Sequence, residues 1–373
     1  MYEKPEFISV AKRENNKERE YLLVNEKQGK HVPSLVEDTF SMFDELVDVF
    51  RGTKSVADKK FLVIGFAETA TAIGTSVAMA LNMPCMQTTR EPFHELDCLY
   101  FEEAHSHAKE QKLIKKDLEM AIAIGIEGIL FVEDELTTGT TICNAVQAIR
   151  TAYPKAGLEF VALSIVNCMD EAHLERFKQE KITALYSHKY MSTDDIGAIA
   201  NVVDKLDEKL AMPWEENVLN VSIDSSVDLR RLNGPKTIEK ACQKFINVVL
   251  PKQMVAENIL VLGSEEFMYP GLRLAEELRK KGNTVAVHAT TRSPMLPSDD
   301  AGYVIQKRYQ LSSLYEKNRQ IYVYNLKQYD RVYIVTDAKI YNRYAINDLI
   351  AALQHEGNQK IQIAEWRIYG DKL

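Results

Sequence analysis

Hydrophobic residues in this chain fall into two recurring patterns: unbroken apolar runs of strand length, and helical spacings between them. Residues 61–65, 129–132, 158–167, 258–263, 284–289 and 331–337 read as buried strands. Shorter strands are predicted over 20–25 and 84–89, and 182–186 reads as an edge strand or part of a hood. Over 38–50, Phe40, Phe43, Leu46, Val47 and Phe50 share one helical face. Helices are also predicted from the turn after Gly65 to Leu81 and over 142–150, 195–210, 237–249 and 272–281. Residues 28–33 read as a loop, 93–125 as a long polar stretch, and 213–233 as irregular, closing on the turn Asn233-Gly234-Pro235. This βαβα rhythm predicts an α/β fold with a parallel sheet.

The chain is organised around Ile129-Leu130-Phe131-Val132-Glu133-Asp134-Glu135-Leu136-Thr137-Thr138-Gly139-Thr140-Thr141. An apolar strand ends in carboxylates, a Thr/Gly loop follows, and a helix begins. A helix start offers unbonded N–H groups and a positive dipole end, which suits an anion. Gly139 lets the backbone curl closely, and the four threonines add hydroxyls, so the loop fits a phosphate monoester. Glu133 and Asp134, at the carboxyl end of the strand, suit a ribose diol or a Mg²⁺ that touches it. No Gly-Lys-Ser/Thr follows, so this is not a Walker A loop. A second strand–turn–helix, Gly65 into Phe66-Ala67-Glu68-Thr69-Ala70-Thr71, repeats the anion-binding geometry. Glu68 is repulsive to an anion there unless it holds a cation.

With 373 residues the chain has room for two domains, and its composition is 46% hydrophobic. No apolar run approaches a membrane span. Residues 1–19 are charged, lack the apolar centre of a signal peptide, and are expected to form a flexible arm. Five scattered cysteines with no CxxC pair indicate a reducing, cytoplasmic setting. A net charge of −8 argues against a broad nucleic-acid surface. His105 and His107 form a loose His-x-His pattern with no defined third metal ligand.

The second half echoes the first. Gly263 is followed by Glu266 as Gly65 is by Glu68, and Thr290-Thr291-Arg292-Ser293-Pro294 mirrors Thr88-Thr89-Arg90-Glu91-Pro92. Asp337 ends a strand in the place of Asp134, but no Thr/Gly loop follows it. A diverged α/β unit of the same topology is therefore expected after residue 228.

The acidic pair and Thr/Gly loop resemble the signature of type I phosphoribosyltransferases. The order Gln28-Gly29-Lys30-His31, Gly65 to Ala70, Thr89-Arg90-Glu91, His105-Ser106-His107-Ala108, the signature, and Thr291-Arg292-Ser293-Pro294 resembles the form that carries a C-terminal TRSP domain, encoded near bacterial tellurium-resistance and stress genes. The resemblance implies a type I phosphoribosyltransferase-like parallel sheet over 20–228 and a TRSP α/β domain over 229–373. It implies 5-phosphoribosyl 1-diphosphate (PRPP) as co-substrate, with Mg²⁺ held directly or indirectly by Glu133 and Asp134. Those two carboxylates would take the ribose hydroxyls, and Thr137, Thr138, Gly139, Thr140 and Thr141 the 5′-phosphate. Phe66, Ala67, Glu68 and Thr69 would take the pyrophosphate, on a strained, sometimes cis, turn. Arg90 would neutralise the leaving group, Lys109 less directly, under a mobile loop that excludes water. Lys30, His31, His105, His107, Glu265, Glu266, Tyr269 and Arg292 are further candidates for substrate contact.

The expected reaction joins ribose 5-phosphate to a small-molecule acceptor, a nitrogen nucleophile, with release of pyrophosphate, in the synthesis of a nucleotide- or nucleoside-like metabolite. The alternatives are a PRPP- or nucleotide-binding regulator on the same fold, and a phosphorylase or hydrolase releasing ribose phosphate. Such transferases are commonly dimers, so a homodimer is also expected.

Overall fold

The computed structural model describes residues 4–14, 19–91, 96–102, 110–190, 199, 202–208, 210, 218–251, 256–338 and 343–368. The chain opens with an antiparallel hairpin, β1 (Ile8–Lys12) and β2 (Tyr21–Asn25). The stretch read as a loose arm thus contributes a strand whose Ile8 and Ala11 are buried. Then come β3 (Ser34–Leu35), α1 (Val36–Gly52), β4 (Phe61–Gly65), α2 (Thr71–Leu81) and β5 (Cys85–Gln87). A hairpin of β6 (Cys98–Glu102) and β7 (Glu110–Ile114) leads to α3 (Lys115–Ala123). These lie within the long polar stretch read over 93–125. Each strand is five residues long, too short for its alternation to stand out among the polar residues around it. β8 (Gly128–Leu136), α4 (Thr140–Ala152), β9 (Glu159–Asn167), α5 (Glu171–Gln179) and β10 (Ile182–Lys189) complete a parallel sheet of order β10-β9-β8-β4-β5.

The second sheet is built from β11 (Val218–Ser225), α6 (Pro235–Val249), β12 (Asn258–Gly263), α7 (Tyr269–Lys280) and β13 (Thr284–Ala289). Then follow the hairpin β14 (Arg308–Ser312) and β15 (Gln320–Tyr324), β16 (Arg331–Thr336), α8 (Arg343–His355) and β17 (Ile361–Ile368). Its order is β11-β17-β16-β12-β13-β3. β11 closes one edge of this sheet from within the stretch expected to be irregular. Its first residues are largely exposed, which hides a strand's alternation. At the other edge β3, from the first half, pairs antiparallel with β13. In the helix expected over 195–210, Ile199 is helical but 202–208 is not. That segment runs along the second half instead, where Lys205 and Glu208 donate backbone hydrogen bonds to the carbonyls of Pro297 and Arg308.

The α2 helix is made of small residues because it lies almost on β4. A Cβ on Gly74 would stand 2.6 Å from Gly65 Cα and 2.9 Å from its nitrogen. Backbone meets backbone there, so neither side can yield locally, and this approach sets the turn over 66–70. Gly74→Ala should lower the unfolding free energy by about 1–3 kcal/mol in denaturant titration. A loss under about 0.5 kcal/mol would contradict the close contact.

Candidate functional site

The carboxyl ends of β4 and β8 lie side by side, with Gly65 paired to Val132. This brings the turn after β4 against the signature. Thr69 Oγ1 donates to Asp134 Oδ1 at 2.8 Å. Asp134 is raised to about 6, first by burial and then by the neighbouring charge of Glu135, against the Thr69 hydrogen bond. Glu135 is held by Arg19, which donates to it at 2.7 and 3.0 Å from the start of the second strand and stacks over Tyr21 at 4.8 Å. Neither Arg19 nor Glu135 stood out in sequence. Arg19 sits in the stretch read as an arm, and a third carboxylate after an acidic pair carries no separate signal.

After β8 the chain turns at Gly139, whose φ of +66° is left-handed and which caps α4. A Cβ there would fall 2.2 Å from the Phe177 ring, so the position needs glycine for space as well. Thr140 N–H donates to Thr138 Oγ1 at 3.3 Å, and Arg176 donates to Thr140 Oγ1 at 3.3 Å. Thr137, Thr138, Thr140 and Thr141 are all partly exposed around this helix start. Buried and pushed up by that burial, the thiol of Cys143 reads as a packing residue.

The Ala67–Glu68 peptide in the turn after β4 is cis. Ala67 N–H donates to Thr88 Oγ1 at 2.8 Å, and Gln111 Nε2 donates to the Ala67 carbonyl at 2.8 Å. The Glu68 carboxylate, however, faces the second half. It meets Lys30 Nζ at 2.8 Å and Arg292 Nε at 3.4 Å. Lys30 is fully buried and also donates to the carbonyls of Glu265 and Thr290, which uses its three protons. Arg292 gathers Glu265 at 2.9 Å, Glu266 at 3.5 Å, Glu68 and Glu91. Arg319 adds 2.7 Å to Glu91 and 3.1 Å to Glu265. Lys30, Glu266 and Arg292, expected at a ligand, are therefore committed to the contact between halves. Their burial forces them to pair with one another.

The pairing leaves a mark on the acids. Burial would raise Glu68, but Lys30 and Arg292 hold it down to about 2. Burial first, then the charge of Glu266, pushes Glu91 up to about 7. His31 is buried and pushed down to about 3, first by burial and then by Lys30, so it is neutral. Neither of its ring nitrogens has a hydrogen-bond partner among the described residues. Gln28 lies nearby, donating from Nε2 to the Thr69 carbonyl at 2.8 Å. Arg90 binds the second half through its backbone, N–H to Glu266 Oε1 at 3.1 Å. Tyr269 opens α7 as a buried residue. His105, His107 and Lys109 lie outside the described residues. Among the described residues no group of three His, Cys, Asp or Glu could hold a metal by itself, and no helix is long and apolar enough to cross a membrane.

Removing the Glu68 charge leaves Lys30 and Arg292 buried without it. Glu68→Gln should cost about 3 kcal/mol of stability at pH 7. Because the folded carboxyl lies below its ordinary value of 4.5, its contribution is full above that value and disappears as pH falls toward 2. The variant should thus lose less stability than the parent across that window in acid denaturation. Parallel acid profiles would contradict the pairing.

The phosphoribosyl transferase family model matches residues 7–192, and the TRSP domain model, described as C-terminal to it, matches residues 232–353. No curated protein matches the chain. Among solved structures, the adenine phosphoribosyltransferase of Giardia lamblia bound to 9-deazaadenine gives a TM-score of 0.35 at 13% identity, over 49% of this chain and 93% of that one. The orotate phosphoribosyltransferase of Aeropyrum pernix gives 0.28 at 18% identity, over 41% and 72%. The two family models together span most of the sequence. By those matches the chain belongs to the phosphoribosyl transferase family, in the form that carries a TRSP domain after its transferase domain.

Proposed function

We propose that the first half transfers the phosphoribosyl group of PRPP to a nitrogen nucleophile, releasing pyrophosphate. The observation that carries this reading is the meeting of three parts at the ends of β4 and β8: Asp134, the Thr69 turn, and the Gly139 turn opening α4. Each offers what one part of PRPP needs. The α4 start and its threonine hydroxyls fit the 5′-phosphate. Asp134 and Glu133 fit the ribose hydroxyls. The backbone of Glu68 and Thr69 fits the pyrophosphate, the N–H groups of Phe66 and Ala67 being taken by Val132 and Thr88, and Arg90 stands beside that turn. Glu68 contributes as scaffold, since its carboxylate is neutralised by Lys30 and, from the second half, by Arg292.

Asp134 is a half-buried carboxylate raised first by desolvation and then by the charge of Glu135, and a cation or a donor diol at that oxygen would favour its ionised form. Mg²⁺ fits such a donor set when substrate oxygens complete its shell, and it would supply charge neutralisation to the pyrophosphate. In the transfer, the bond from the anomeric carbon to the pyrophosphate oxygen breaks with its electron pair leaving on that oxygen. The nitrogen lone pair forms the new bond, and the proton on nitrogen leaves afterwards. The acidic pair steadies the positive ribose between those events, and positioning supplies most of the remaining effect. Neutral His31 and Gln28, buried beside the Thr69 turn, are the side chains best suited to face an acceptor. Scattered cysteines with no CxxC pair support a cytoplasmic setting.

Glu133→Gln combined with Asp134→Asn should abolish Mg²⁺-dependent PRPP binding while leaving circular dichroism unchanged. Undiminished affinity in that folded variant would sink the assignment. The raised carboxyl of Asp134 adds a pH signature. Protonation below about 6 removes the charge the ligand needs, so affinity should fall by up to about tenfold per pH unit below that value. A flat profile from pH 7 to 5 would count against Asp134 as the contact. Pyrophosphate release that requires an added nitrogen base separates transfer from hydrolysis, which would proceed without one.

A further inference from the structure

The halves share more than motifs. Reading each sheet from the same side gives β5-β4-β8-β9-β10 and β13-β12-β16-β17-β11. Gly65 pairs with Val132, and Gly263 with Val335, so two residues on Asp134 and Asp337 occupy one position in two copies. Thr88 N–H donates to the Gly65 carbonyl at 3.0 Å, and Thr290 N–H to the Gly263 carbonyl at 3.1 Å. Ala67 N–H donates to Thr88 Oγ1, and Glu265 N–H to Thr290 Oγ1. Each copy then bridges to its own hairpin, Thr89 to Lys112 and Thr291 to Tyr322.

The contacts between copies are reciprocal. Arg292 N–H donates to Glu68 Oε1 at 3.2 Å, and Arg90 N–H donates to Glu266 Oε1 at 3.1 Å. Residue i of one copy meets residue j of the other, and j meets i, which is the mark of an isologous, two-fold contact. The carboxyl ends differ. Thr336 stands where the first half has Glu133. Asp337 accepts the Tyr315 hydroxyl at 2.7 Å and is ion-paired to Arg230, a nearly buried guanidinium. Ser264 Oγ donates to Thr336 Oγ1 at 2.8 Å, and Ser313 Oγ donates to Glu265 at 2.6 Å. The hairpin tip that carries Ser313 and Tyr315 is thus folded onto its own half's site.

We propose that the second half is a built-in partner subunit. It meets the first about a pseudo-two-fold axis through the Glu68–Arg292 and Glu266–Arg90 contacts. Its own counterpart of the acidic site is filled by Arg230 and Tyr315, so one chain presents one phosphoribosyl site. The count of sites rests on the transferase reading above, and the pseudo-two-fold contact does not. In its cis role the second half grips the turn after β4 from outside, as a separate subunit would, and brings Arg292 to neutralise Glu68.

Equilibrium dialysis of the full chain with PRPP and Mg²⁺ counts the sites. One equivalent per chain is expected, lost in Asp134→Asn and kept in Asp337→Asn. Two equivalents in the unaltered chain, or one that Asp337→Asn removes and Asp134→Asn spares, would overturn the single-site account. Should PRPP not bind, the transferase reading fails, and the pairing of halves is decided by denaturation without ligand. Glu68→Gln and Glu266→Gln remove opposite members of the reciprocal contact and share Arg292. Their combined effect on the unfolding constant should depart from the product of the single effects by at least about twofold. Agreement with the product would overturn the coupled interface.

Discussion

Charges taken out of water must be paired, and in this protein that requirement is concentrated on one cluster. Lys30, Arg292, Arg319 and Arg230 meet Glu68, Glu91, Glu265, Glu266 and Asp337 where the two sheets approach. Breaking one member of such a set strands its partner in a low-dielectric interior, which costs far more than the pair contributes. The cluster therefore behaves as a lock. It fixes the loop of Lys30 and the turns after β4 and β12, and it joins segments some 260 residues apart, as in the Lys30–Thr290 bond. Its geometry turns the Glu68 carboxylate toward Lys30 and Arg292.

Much of the architecture could be read from the chain because the central strands of both sheets are buried on both faces. Such strands are continuous apolar runs, and Phe61 to Gly65 and Asn258 to Gly263 announce themselves. The signature was legible for a related reason: a strand, acids and a Thr/Gly turn are contiguous. The parts that escaped are those whose partners are distant. β3 is two residues long and belongs to a sheet built by the other half. β11 precedes its sheet neighbours and is half exposed. Lys30, Glu266 and Arg292 looked like ligand residues because a charged residue beside a glycine turn gives the same local pattern whether it meets a phosphate or another charge. Arg19, more than a hundred residues from Glu135, had no local pattern at all.

The likeness of the halves makes their differences informative. Each has a central strand ending at an aspartate, but the surroundings of the two differ in sign. The charge that acts on Asp134 is that of Glu135, which disfavours its ionised form. Around Asp337 an arginine and a tyrosine pair with the carboxylate. On the proposed reading the same backbone is arranged once to receive a ligand and once to do without one, as a transferase with a single working site would require.

The central claim is that the end of β8 receives PRPP with its metal, and calorimetric titration of PRPP with and without Mg²⁺ tests it most directly. Saturable binding that needs the metal, or is strongly tightened by it, is the predicted result. Equal heats with and without Mg²⁺, or none with either, would contradict the claim and turn attention to ribose 5-phosphate or a nucleoside monophosphate as the occupant of the Gly139 turn.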